Sequence, residues 1–250
     1  MSTLTKRIIT ALVLAGGILS LLFLAPLVYT SIFLSVVLLV AMFEWAGFVS
    51  WSGNAPKSIY ALLGLGVMLL VYQSPNPVLF LLAGLLTAIS IWTLALVVLL
   101  VWVGKVSQPI VILAGFLFLL PAWVSAERIV LSDRSGAVLL FLLFWIVAAA
   151  DIGAYFSGKV FGKHKLLPRV SPGKTVEGFF GGLMFATLAG CLGPLLLDWS
   201  ILEAMLIGVC VGAISVLGDL TVSLFKRNAN LKNSGSILPG HGGILAVSYT

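Results

Sequence analysis

The chain has 250 residues, of which 61% are hydrophobic and 9% are charged, and its mean hydropathy is +1.20. Soluble domains carry about 25% charged residues, so this composition excludes an ordinary soluble protein and indicates one that crosses a membrane several times. The apolar runs are continuous rather than alternating, which favours helices over a β-barrel. The net charge of +6 comes without interleaved basic and aromatic residues, so no nucleic-acid partner is expected.

Apolar runs separated by Pro, Gly, Ser and Asn predict an all-α polytopic membrane bundle of about eight transmembrane helices with polar loops. The predicted helices cover residues 8–24, 27–49, 59–73, 78–102, 109–126, 136–156, 176–197 and 201–222. We interpret the first helix as retained, because no small-residue cleavage site follows its run. We expect one continuous membrane domain, with residues 1–135 as an N-terminal scaffold and residues 136–250 as the catalytic-type region.

The basic residues are distributed unevenly between the two membrane faces that this helix order predicts. With the N-terminus in the cytoplasm, twelve Lys and Arg residues fall on the cytoplasmic side and two, Arg128 and Arg134, on the other. Such an excess is the positive-inside signal. We therefore expect the polar loops 157–175 and 223–250 to face the cytoplasm, and the compact chain with short loops suggests the inner membrane of a bacterium.

Acidic residues in the apolar helices are candidates for function, because a carboxylate at lipid depth is costly unless it is paired, solvated or metal-bound. Asp151 falls late in the sixth predicted helix. The eighth carries a polar stripe at four-residue spacing, formed by Ser215, Asp219, Ser223 and Arg227. Residues at this spacing share one face of a helix, and a polar face on an apolar helix favours contact with a cavity. The alternative, that these residues are polar only because they lie near the end of the helix, stays open. Glu44, near the end of the second helix, is either interfacial or functional.

The segment Ser171-Pro172-Gly173-Lys174-Thr175 stands just before the seventh predicted helix. A helix N-terminus offers backbone N–H groups and a positive dipole end to a phosphate, and Lys174 adds a charge. The segment is not a P-loop, because the spaced glycines and the preceding strand are missing. It is predicted to bind phosphate or to touch anionic lipid, and Glu177 is expected to cap the helix.

These carboxylates, cations and glycines fall near one predicted membrane face, and nucleotidyl transfer needs this mixture. The motifs are Asp151-x-Gly-Ala-Tyr155, Gly158-Lys159-x-Phe-Gly162-Lys163-His164-Lys165, Ser171-Pro-Gly-Lys-Thr175, Gly218-Asp219-Leu220 and Ser223-x-x-Lys226-Arg227-x-x-x-x-Lys232-Asn233 followed by Pro239-Gly240-His241-Gly242-Gly243. In this order they resemble the phosphatidate cytidylyltransferases, also called CDP-diacylglycerol synthases. The resemblance implies a membrane transferase of phospholipid biosynthesis that converts CTP and phosphatidate to CDP-diacylglycerol and pyrophosphate.

The resemblance also implies a role for each matching residue. Asp219, Lys226, Arg227, Lys232 and His241 are the implied catalytic residues, with Asp219 and Asn233 as metal ligands. The implied substrate-binding residues are Ser171, Lys174, Thr175, Ser223, Asp151, Gly242 and Gly243. The implied cofactor is Mg²⁺, with room for a second cation. The implied partners are CTP, phosphatidate and membrane lipid, and a homodimer is left open.

Two departures from the family pattern bear on activity. Asn233 stands where the family has Asp and brings no charge to a cation, and the sequence ends within the C-terminal signature, as if truncated. Three alternatives are therefore kept: the enzyme, an impaired or truncated relative that binds lipid or nucleotide without turnover, and an unrelated membrane transporter. The ordered motifs argue against the transporter, whereas the departures predict weak CTP–Mg²⁺ binding and poor turnover.

Overall fold

The structure is a computed structural model, and it describes residues 13, 15–73, 92, 95, 105–132, 134–231, 234–235 and 243–246. Its helices are α1 (Leu27–Ala46), α2 (Ala55–Tyr72), α3 (Gln108–Ser132), α4 (Arg134–Phe161), α5 (Val176–Gly190), α6 (Gly193–Leu196) and α7 (Ile201–Asn228), and residues 15–23 are also helical. A hairpin of β1 (Lys165–Leu167) and β2 (Ser171–Thr175) precedes α5, and a short 3₁₀ turn covers Ile244–Ala246.

Six helical segments of the described chain are long and apolar enough to cross a membrane. They match the second, third, fifth, sixth, seventh and eighth helices expected from the sequence, so the prediction of an all-α polytopic membrane protein is confirmed. The first predicted helix is described only from residue 15 onward. The fourth, 78–102, lies outside the described residues except for residues 92 and 95, which are helical.

Two boundaries differ from the sequence prediction on the side that carries the motifs. The segment 157–175 was expected to be a loop, but α4 continues to Phe161 and residues 165–175 form an antiparallel hairpin. The last predicted helix was expected to end at residue 222, but α7 continues to Asn228. Both helices continue past their continuous apolar runs, because backbone hydrogen bonds rather than apolar side chains define a helix.

The chain forms two compact units, one of residues 1–131 and 225–250 and the other of residues 132–224. In the first unit, α1 packs on α2, and the fully buried Trp45 lies at the end of α1. The Nε1 of Trp45 donates a hydrogen bond to the carbonyl oxygen of Val111 at 2.8 Å, and its ring lies 4.9 Å from that of Phe225. The predicted division into residues 1–135 and 136–250 stays a prediction.

In the second unit, glycines allow helices to approach closely. A Cβ added to Gly182 on α5 would lie 2.9 Å from the carbonyl oxygen of Ala150 on α4. A Cβ added to Gly208 on α7 would lie 2.7 Å from the carbonyl oxygen of Ala186 on α5. Small residues permit such backbone contacts between membrane helices. This packing fixes the helices that carry the two predicted aspartates, Asp151 on α4 and Asp219 on α7.

Candidate functional site

The β-hairpin and α7 bring together two of the predicted site residues, Lys174 and Asp219. The Nζ of Lys174, on β2, forms an ion pair with Oδ2 of Asp219. The side chain of Asp219 is 1% exposed and that of Lys174 is 21% exposed. Oδ1 of Asp219 accepts a hydrogen bond from the hydroxyl of Ser223, one turn later on α7, at 3.3 Å. A carboxylate buried so deeply needs this compensation, because desolvation of an unpaired charge is expensive.

Asp151 belongs to the same unit and is half-buried on α4. The ammonium group of Lys174 also acts electrostatically on its carboxyl group. Lys174 thus interacts with both predicted carboxylates. Ser171 is half-buried at the start of β2, where it pairs with Leu167 of β1.

The base of the hairpin is tied to the first turn of α5. Thr175, rather than Glu177, is the N-cap of this helix, and its hydroxyl accepts a hydrogen bond from the amide of Gly178 at 3.1 Å. Glu177 instead accepts hydrogen bonds from the amides of Lys163 at 3.1 Å and His164 at 3.2 Å. Its Oε1 also lies 2.7 Å from Nδ1 of His164. These contacts hold the strand that carries Lys174 in a defined position. The carboxylate of Glu177 also accepts a hydrogen bond from its own amide in the first turn of α5, so the capping role expected for Glu177 is shared with Thr175.

The last turn of α7 carries two of the predicted phosphate-binding cations, Lys226, which is buried, and Arg227, which is exposed. The chain leaves the helix at Asn230, two residues after the end of α7, and the φ of 55° at Asn230 is left-handed. The amide of Asn230 donates to the carbonyl of Arg227 at 3.0 Å, and the amide of Leu231 donates to that of Lys226 at 2.8 Å. This pair of bonds is the Schellman motif, in which Asn is a common alternative to Gly. The motif fixes where the chain leaves the helix.

The remaining predicted site residues belong to the segment after α7. Lys232, Asn233, His241 and Gly242 lie outside the described residues, so their roles stay predictions. Gly243 is described and buried, with a φ of +118°. Within the described part of the chain, no three His, Cys, Asp or Glu side chains cluster closely enough to hold a metal ion.

The sequence left open whether Glu44 has an interfacial or a functional role. It lies in the last turn of α1 and is 3% exposed. Its carboxylate accepts hydrogen bonds from the hydroxyl of Ser234 and from the amides of Ile244 and Leu245, each at 2.9 Å. Glu44 is therefore buried against the sequence from Lys232 to Leu245, here called the C-terminal motif. Only the presence of an acid in an apolar helix pointed to it in the sequence.

Comparison with known proteins gives matches over nearly the whole chain. The model of the cytidylyltransferase family matches residues 5–246. The phosphatidate cytidylyltransferase of Pseudomonas aeruginosa is 38% identical over 254 residues, which cover 97% of this chain and 90% of that protein. The phosphatidate cytidylyltransferase of Haemophilus influenzae is 35% identical over 269 residues, which cover 97% and 92%. That of Synechocystis is 46% identical over 113 residues, which cover 44% of this chain.

Proposed function

Since this membrane protein belongs to the cytidylyltransferase family, we propose that it converts CTP and phosphatidate to CDP-diacylglycerol and pyrophosphate. An oxygen of the phosphatidate phosphate attacks the α-phosphorus of CTP. The bond from that phosphorus to the oxygen bridging to the β-phosphate breaks, and its electron pair leaves with pyrophosphate. The attacking phosphate is already anionic, so the reaction depends on positioning and charge neutralisation more than on a general base.

The observation that carries this proposal is the buried pair of Lys174 and Asp219 in a membrane protein. In the chain alone, each of these side chains neutralises the other. A substrate phosphate offers Lys174 an anionic partner in exchange for the carboxylate, and a lysine ammonium is a common ligand of phosphates. Ser223 holds the other oxygen of Asp219 and keeps the carboxylate oriented during this exchange.

The residues present fit the Mg²⁺ that the family resemblance implies. Mg²⁺ takes oxygen ligands and is commonly bound through one or two carboxylates together with substrate phosphates and water. Asp219 is the described residue that would hold it, and Asn233 is the second ligand expected from the sequence. Bound Mg²⁺ supplies positive charge to the phosphate oxygens and to the leaving pyrophosphate. Lys226, Arg227, Lys232 and His241 are proposed, from the resemblance alone, to bind further phosphate oxygens.

We also propose that residues 157–175 and 223–250 face the cytoplasm of a bacterium, with the protein in the inner membrane. The support is the distribution of the basic residues, twelve of which fall on the side assigned to the cytoplasm and two on the other. Excess Lys and Arg in short loops favours retention on the cytoplasmic side.

The type of transfer is tested by following the position of a radioactive label. Purified protein is incubated with Mg²⁺, phosphatidate in mixed micelles and CTP labelled at either the α- or the γ-phosphate. The proposal requires the α-label to enter the lipid fraction and the γ-label to leave as pyrophosphate. Transfer of the γ-label to lipid would indicate a kinase-type reaction, and no transfer of either label would refute the proposed function.

A further inference from the structure

The C-terminal motif is bound by a single carboxylate from the N-terminal half of the chain. Glu44 receives three hydrogen bonds at 2.9 Å, one from the side chain of Ser234 and two from the backbone of Ile244 and Leu245. Both backbone donors belong to the short 3₁₀ turn that contacts α1. Hydrogen bonds to an ionised acceptor are stronger than those between neutral groups. With 3% exposure, Glu44 has little access to water as an alternative partner.

Two glycines of the motif are shaped to this carboxylate. A Cβ added to Gly235 would lie 2.5 Å from Oε1 of Glu44. A Cβ added to Gly243 would lie 2.7 Å from each of its oxygens, and the φ of +118° at Gly243 already excludes most other residues. Gly235 and Gly243 therefore let the backbone approach Glu44 at both places. Any side chain at either position would have to displace the carboxylate.

These contacts bring two parts of the C-terminal sequence to the same point. Ser234 and Gly235 on one side, and Gly243 to Leu245 on the other, meet at the carboxylate of Glu44. Fixing residues in place before a ligand arrives lowers the entropic cost of binding it. Gly243 is one of the residues that the family resemblance assigns to substrate binding.

We infer that Glu44 is a positioning residue for the proposed cytidylyl transfer: it binds Ser234, Ile244 and Leu245 and so holds Gly243, a predicted substrate-binding residue, in place. The inference rests on the proposed function for its catalytic consequence, whereas the structural part stands on the contacts of Glu44. It gives the N-terminal half, interpreted from sequence as scaffold, a direct part in building the site.

The substitution that tests this is Glu44→Gln, which keeps the shape of the side chain. The amide offers one acceptor oxygen, but its NH₂ group faces donors, so at least one bond to the motif is lost. The matched control is Glu127→Gln. Glu127 is also a buried acid, 6% exposed, and it accepts a hydrogen bond from Ser31. Ser31 lies 13 residues before Glu44 on α1, about 20 Å away at the rise of a helix.

The first readout is hydrogen exchange of peptides that contain residues 243–246, which does not depend on activity. Glu44→Gln is expected to speed exchange of the Ile244 and Leu245 amides by about 10-fold or more, whereas Glu127→Gln leaves it unchanged. Unchanged exchange in Glu44→Gln would overturn the inference. If that variant does not fold, Ser234→Ala removes a single donor and is expected to give a smaller increase in the same peptides.

The second readout is the rate of CDP-diacylglycerol formation. Removing a partner that orients a site typically costs about 10–100-fold, and this loss in kcat/KM for CTP is expected for Glu44→Gln but not for Glu127→Gln. Ser234→Ala is expected to lower kcat/KM less in the Glu44→Gln variant than in the wild-type protein, because the contact between the two side chains is already lost. If Glu44→Gln speeds exchange of the Ile244 and Leu245 amides but keeps the wild-type kcat/KM, the positioning role is refuted. A wild-type protein without activity would refute the proposed function, and hydrogen exchange would still decide whether Glu44 holds the motif.

Discussion

Replacing Lys174 with Met removes the cation from a carboxylate that is almost completely buried. Breaking a buried ion pair by removing one partner costs about 3–5 kcal/mol, because the other charge is left uncompensated. Lys174 keeps 21% of its side chain exposed, so water reaches the site and the lower end, about 3 kcal/mol, applies. For a chain of this size, that loss corresponds to a fall in Tm of about 6–12 °C.

A double-mutant cycle separates loss of the pair from loss of the lysine side chain. Lys174→Met combined with Asp219→Asn removes both charges of this pair, so the double variant is expected to regain at least half of the lost Tm. Unfolding is followed by the intrinsic fluorescence of the seven tryptophans. Lys165→Met, an exposed lysine of the same hairpin, is the control and is expected to leave Tm nearly unchanged. A double variant no more stable than Lys174→Met would show that the two groups are not coupled.

Three further predictions follow from the packing, the helix end and the topology. Gly182→Val is expected to lower the free energy of unfolding by about 1–3 kcal/mol through overpacking against Ala150. The control Gly173→Ala is expected to be tolerated, because nothing lies within 4 Å of the added carbon. Equal Tm values for the two variants would contradict this account of the helix contact. Asn230→Ala is expected to lower the free energy of unfolding by about 1 kcal/mol, because Ala adopts the left-handed φ only with strain. Asn230→Gly is expected to be neutral or stabilising in the same thermal melt. A lower Tm for Asn230→Gly would count against this helix cap. In a background without Cys191 and Cys210, Ser171→Cys is expected to resist an impermeant thiol reagent applied outside intact cells, and labelling from outside would overturn the cytoplasmic assignment of the hairpin.

The membrane fold follows from the sequence because apolar runs of about 20 residues have few alternatives to a transmembrane helix. The ends of the helices do not follow so directly. The apolar run of α7 stops before Ser223, but the helix continues to Asn228 and is capped by the left-handed Asn230 two residues later. That cap depends on a backbone conformation rather than on hydrophobicity. The β-hairpin was not predicted because β1 has only three residues, too few to show a strand pattern in the sequence.

For the site, the sequence identified Lys174 and Asp219 separately but not their contact. They are far apart in the chain, and only the packing of α5 against its neighbours decides which cation meets which carboxylate. Glu44 illustrates the limit more sharply. Its partners lie about 200 residues later, and no local pattern in a helix of apolar residues indicates them. Of the two glycines that contact it, Gly243 was visible as a motif residue and Gly235 was not, and no pattern indicated their common partner.

We propose that Asp219 serves the transfer of a cytidylyl group from CTP to phosphatidate. The most direct test of this proposal compares CDP-diacylglycerol formation by purified wild-type protein, Asp219→Asn and Asp198→Asn, with Mg²⁺ and saturating CTP. Asp198 is exposed in the loop before α7 and serves as the matched control. We expect Asp219→Asn to lower the rate by about 10²–10³-fold, the loss typical when one charge-stabilising group of a site is removed, while Asp198→Asn retains the wild-type rate. Equal rates for wild type and Asp219→Asn would contradict the assignment of this site.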